Sequence, residues 1–108
     1  MMSEAEILTR IAGLTPDRLT LCVTRAWVRP RLSDAGQVFD DTDLARLRLI
    51  VELSEDMAVS DETMPLILNL LDEVTTLRRR MRSLDAALGA EGLRERLRMR
   101  LLAMHEQA

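Results

Sequence analysis

Seven apolar residues, Ile67, Leu70, Val74, Leu77, Met81, Leu84 and Leu88, recur at alternating spacings of three and four. These are apolar a and d positions over three heptads, the seam of a coiled coil, on a helix about 32 Å long at about 1.5 Å per residue. A stripe this regular has to be covered. A second copy of the chain offers one covering helix. The chain's own end offers another, because Leu93, Leu97, Leu101 and Met104 repeat with helical period beyond Gly89 and Gly92, far enough to fold back as a helical hairpin. In a chain of 108 residues, such a helix leaves room for one small domain ahead of it.

That leading segment carries strong helix signals. Ser3 followed by Glu6 reads as a capping box ahead of Ile7, Leu8 and Ile11, and Gly13 ends this first helix. Thr15-Pro16-Asp17 starts a second helix with a cap, a proline at the first helical position and an acid at the positive helix end. Leu19, Cys22 and Val23 share a face of it, so the pair reads as a helix-turn-helix. Trp27 to Pro30, then Arg31 to Phe39 with Gly36, read as a small β-hairpin, or wing, with Trp27 and Phe39 covering its base. Asp40, Asp41 and Asp43 open a third helix carrying Leu44, Leu47, Ile50 and Val51. Ser60 caps the long helix, with Pro65 marking its start or an irregularity near it. The expected fold is mainly α: a winged helix-turn-helix over residues 1–62, and a coiled-coil helix with a short C-terminal helix over 63–108, packed as one unit with the first part.

Composition removes whole classes of function. One Cys and one His give neither a metal cluster nor a disulfide framework. Trp27 and Phe39 are the only aromatics, too few for a base-stacking platform. Cys22 lies on an apolar face, His105 lies near the chain end, and the four glycines are scattered, so catalysis lacks its parts and no cofactor is expected. The acidic start, Met1 to Glu6, lacks a signal peptide's positive charge, and the chain reads as cytoplasmic.

Net charge is −3, but its distribution says more. Residues 10–31 carry five Arg against Asp17, or +4; residues 32–73 carry two Arg against eleven acids, or −9; residues 74–108 carry eight Arg against four acids, or +4. An acidic middle suits a basic protein partner. Arg78, Arg79, Arg80 and Arg82 read as the solvated flank of the seam.

Trp27-Val-Arg-Pro30, Val38-Phe-Asp-Asp41, Asp43-Leu-Ala-Arg-Leu-Arg-Leu-Ile-Val-Glu-Leu53, Leu66-Ile-Leu-Asn-Leu-Leu-Asp-Glu73 and Leu77-Arg-Arg-Arg80, with Gly13 to Leu19, together resemble the CbpM chaperone modulators, a branch of the MerR-like superfamily. The resemblance spans about residues 3–88 and rests on joint order and spacing. It implies a protein that binds the J-domain of a DnaJ-like co-chaperone, CbpA, inhibits its stimulation of DnaK, and needs no cofactor. J-domains of that kind present a basic helical face, which an acidic competitor would match. The expected contact surface is Asp40, Asp41, Asp43, Glu55, Asp56, Asp61 and Glu62, with Val38 and Phe39 as apolar anchors. A homodimer through the C-terminal helix is also expected.

The same fold serves a MerR-type DNA-binding transcriptional regulator. Arg18, Arg25, Arg29 and Arg31 cluster where such a protein grips phosphate. Against that alternative, Leu19 is followed by Thr20, Leu21 and Cys22 where MerR proteins carry an Arg and then aromatics. The wing reads Gly36-Gln-Val-Phe39 without the usual Arg, and the segment beside it is acidic.

Overall fold

The computed structural model describes residues 1–89 and 92–107. In chain order it has β1 (Met2–Ser3), α1 (Glu4–Arg10), α2 (Pro16–Thr24), β2 (Arg31–Ser33), β3 (Gly36–Phe39), α3 (Asp41–Glu55), α4 (Met64–Ala87) and α5 (Leu93–Gln107). The helix-turn-helix, wing and long helix expected from the sequence are all present. Contacts divide the chain into two units, Met1–Leu68 and Asn69–Ala108. The division falls inside α4 rather than at residue 62, because Met64 and Leu68 are buried among the core residues of the first unit.

In the first unit the local chemistry explains each boundary. The Thr15 hydroxyl accepts from the Arg18 N–H at 3.1 Å and caps α2, with Pro16 at its first position. A reciprocal capping box forms at α3: the Asp43 N–H donates to the Asp40 carboxylate at 2.8 Å, and the Asp40 N–H donates to the Asp43 carboxylate at 3.0 Å. Ser3 caps α1 through the Glu6 N–H at 3.2 Å, but the Glu6 carboxylate takes the Ser3 hydroxyl at 3.4 Å instead of the backbone. Ser3 already belongs to β1, so its main chain serves the sheet. Helix α1 stops at Arg10, and Gly13 makes the following turn at φ +85°. Ser60 organises the turn before α4, accepting from the Thr63 N–H at 3.2 Å, and Pro65 falls in the first turn of the helix, where its missing N–H costs no intrahelical bond.

The sheet has three antiparallel strands in the order β1-β3-β2, with Met2 opposite Phe39, Ser3 opposite Val38, and Arg31 opposite Val38. The wing is therefore a hairpin extended by the chain's own start. Strand β2 begins after Pro30, so Trp27 to Pro30 form the lead-in and not a strand. The core draws on every element of this unit except the exposed β2: Met2, Ile7, Leu19, Cys22, Trp27, Phe39, Leu47, Ile50, Met64 and Leu68 are all buried in it.

In the second unit the seam from Leu70 to Leu84 stays 42–68% exposed, and Leu88 is half-buried. Ile67, assigned to the seam by its spacing, instead packs against the core of the first unit. The apolar residues of α5 are exposed as well, from Leu97 at 37% to Met104 at 67%, so α5 does not cover the seam. An Arg94–Asp85 ion pair at 3.0 Å joins its first turn to the end of α4. The expected break between Gly89 and Gly92 includes residues 90 and 91, which lie outside the described ones. Among the described residues no helix is long and apolar enough to cross a membrane.

Candidate functional site: two acidic clefts and a tethered arginine

The acids singled out in the sequence do not form one continuous face. Asp40 and Asp41 line a cleft of about 310 Å³ with Met1, Met2, Glu6 and Arg10. Glu55 and Asp56 line another, of about 370 Å³, with Glu52, Arg48, Val51, and residues 10 to 13 of the turn after α1. Arg10 stands in the wall of both.

The first cleft is the less available for a partner. Asp40 and Asp43 are half-buried and spend their carboxylates on the start of α3. The Asp43 N–H above all, with Arg31 nearby, holds the Asp40 carboxyl below the ordinary carboxylate range, whereas burial pushes Asp43 up. Their role is the capping box, and only Asp41 of the three is a freely exposed acid. Phe39 has to be withdrawn as a surface anchor: it is 0% exposed and fills the core beneath the sheet. Val38 remains half-exposed, on the central strand.

The second cleft has a different electrostatic character. It sits at the C-terminal end of α3, where exposed carbonyls carry the negative end of the helix dipole. That end wants a cation, yet the last turn has no basic residue, and Glu52, Glu55 and the capping Asp56 are all exposed there. Ile11 and Val51 give the cleft an apolar floor, and a Cβ on Gly13 would come within 3.3 Å of Val51. Sequence reasoning assigned neither Glu52 nor Arg10 to a site, and read Val51 only as part of the apolar face of α3. The signal for Glu52 was present, at one helical turn before Asp56, but the rest required the turn after α1 to be placed beside α3.

Asp61 leaves the acidic set for another reason. It pairs with Arg18 at 2.6 Å, with the Arg18 side chain only 20% exposed. Arg18 also lies over the Trp27 ring at 5.8 Å, and Arg25 over the same ring at 5.6 Å. The Arg46 Nε–H donates to the Trp27 carbonyl and ties the same turn to α3. Arg18 is thus part of the packing between α2 and the turn before α4, and is not displayed for phosphate. Arg25, Arg29 and Arg31 are exposed, as is Glu62. Burial pushes the Cys22 thiol up, which makes it a core residue without thiolate character.

Comparison with curated protein sequences and with solved structures returned no match. Residues 4–86, the helix-turn-helix, the wing, α3 and nearly all of α4, match the family described as MerR HTH family regulatory protein. The chain belongs to that family.

Proposed function

We propose that this regulator acts on a protein and not on an operator: it binds the J-domain of a DnaJ-like co-chaperone and blocks that domain's stimulation of DnaK, as the resemblance to the CbpM branch implies. The observation that supports this reading best is the cleft at the end of α3. Three acids crowd a helix end that favours cations, above the apolar floor of Ile11 and Val51. Charge kept at a cost to stability, at the mouth of an open cleft whose walls also carry Arg10 and Arg48, suits the docking of a cationic helix. Exposed Asp41 and Glu62 extend the negative field.

A DNA-binding reading keeps one observation in its favour, the exposed Arg25, Arg29 and Arg31 along the turn and β2. Its weakness is Arg18, which Asp61 holds.

Fluorescence anisotropy with a labelled J-domain and with a labelled DNA duplex, at matched salt, separates the two. The proposal expects J-domain binding that weakens as salt rises and only weak, sequence-independent DNA binding. Tight duplex binding lost on Arg25→Ala and Arg31→Ala, with no J-domain binding, would reverse the assignment.

A further inference from the structure

We propose that the cleft at the end of α3 binds a carboxylate as well as cations: Arg10 and Arg48 hold an acidic side chain of the docked helix while Glu52, Glu55 and Asp56 hold its basic ones. This rests on the J-domain reading of the cleft and goes further, to the chemistry the docked segment has to carry.

Five charged side chains line this cleft of about 370 Å³, and all five are exposed. Among the described residues none of them pairs with another, or with any other charged group of the chain. Arg10 borders Glu6, Asp40 and Asp41 in the neighbouring cleft as well, and it is within ion-pair distance of none of them. The backbone brings the opposite charges to one place. Arg48 precedes the three acids on α3 by four to eight residues, about 6–12 Å along the helix axis. Arg10 comes from the last turn of α1. Gly13, at φ +85°, lets the turn after α1 lie so close to α3 that an added Cβ would come within 3.3 Å of Val51.

Three acids against two arginines leave the cleft a net charge of only −1, so its field is dipolar more than anionic. A helix that carried cations alone would gain from Glu52, Glu55 and Asp56 and lose to Arg10 and Arg48, since like charges pressed together oppose docking. A helix with a carboxylate one to two turns from its basic residues matches the spacing along α3 and makes both contributions favourable. Ile11 and Val51, in the same cleft, take the apolar part of such a helix.

Dissociation constants for a labelled J-domain with the full chain test the sign of the effect. If the two arginines stood idle, removing their charge would tighten the docking of a cationic helix. The proposal expects the reverse: Arg10→Gln and Arg48→Gln each weaken binding by about threefold to tenfold, and the two together by about tenfold or more. Replacing the J-domain's acids by Lys one at a time should then find one whose lost affinity is recovered against the Arg48→Glu chain. Both arginines are exposed and unpaired, so circular dichroism should show every variant folded like the unmodified chain. Equal or tighter binding by the doubly substituted chain overturns the proposal, and the J-domain reading survives that result if Glu52→Lys, Glu55→Lys and Asp56→Lys combined still weaken binding. Weaker binding that no J-domain substitution recovers overturns it too, because the arginines would then be meeting something other than a carboxylate. A J-domain that fails to bind even the unmodified chain overturns both.

Discussion

Ala26 shows how much the end of α2 asks of one residue. It adopts φ +57°, while the Trp27 N–H bonds to the Cys22 carbonyl at 2.9 Å and the Ala26 N–H to the Val23 carbonyl at 3.1 Å. That is a Schellman ending, which glycine ordinarily supplies. A Cβ in the left-handed region costs about 1–2 kcal/mol. Ala26→Gly should therefore stabilise the chain by about 1 kcal/mol, once the extra backbone entropy of glycine is deducted, as an upward shift of the thermal midpoint. Asp40 yields a pH prediction. Its folded-state pKa is depressed, chiefly by the Asp43 N–H, so its cap contributes stability above the ordinary carboxylate range and loses it as the pH falls through the depressed value. Asp43, raised by burial, contributes in the opposite sense, below its ordinary value, and that contribution fades as the pH rises through the raised one. Asp40→Asn caps α3 without titrating, so between about pH 5 and about pH 2 its melting temperature should fall less than that of the unmodified chain. The sequence places Asp40 at the start of α3 and among the partner contacts, and only the structure shows it capping the helix. The Thr15 cap was legible in the sequence because a cap is a local event. The Arg18–Asp61 pair was not, because it joins elements far apart in the chain and turns a candidate phosphate ligand and a candidate partner contact into packing.

At the scale of elements, α3 is built well at one end and badly at the other. Its first turn carries Asp41 and Asp43 behind the Asp40 cap, and its last carries acids where cations belong. Glu55→Gln and Asp56→Asn should each stabilise the chain by about 0.3–1 kcal/mol. If the cleft receives a cationic helix, the same two changes should weaken J-domain binding, and calorimetry alongside a binding titration reads both effects from one pair of variants. The periodicities of α3 and α4 were readable because burial on one side writes them into the sequence. Strand β1 was not, since two residues carry no alternation; only the burial of Met2 against the sheet reveals it. Ile67 fits the heptad spacing as well as Leu70 does, but spacing cannot say which end of a long helix the core has already claimed.

Across the whole molecule, charge follows the division of the chain. Residues 1–68 carry seven Arg against twelve acids, a net −5, and residues 69–108 carry eight Arg against six acids, a net +2. The order of elements and the sign of the middle segment were legible from composition and pattern alone. The place where that charge is free to act was not, because three of the five singled-out aspartates, Asp40, Asp43 and Asp61, build the start of α3 or hold an arginine. The surface left for a partner is narrower than the sequence suggests: Glu52, Glu55 and Asp56 around one cleft, with Asp41 and Glu62 outside it. The most direct measurement is the dissociation constant for an isolated J-domain, determined for the unmodified chain and for Glu52→Lys, Glu55→Lys and Asp56→Lys combined, with circular dichroism on each. The account predicts at least about a tenfold loss of affinity, of the size charge reversal at an interface produces, with the helical signal unchanged. Equal affinity in an intact fold would contradict it.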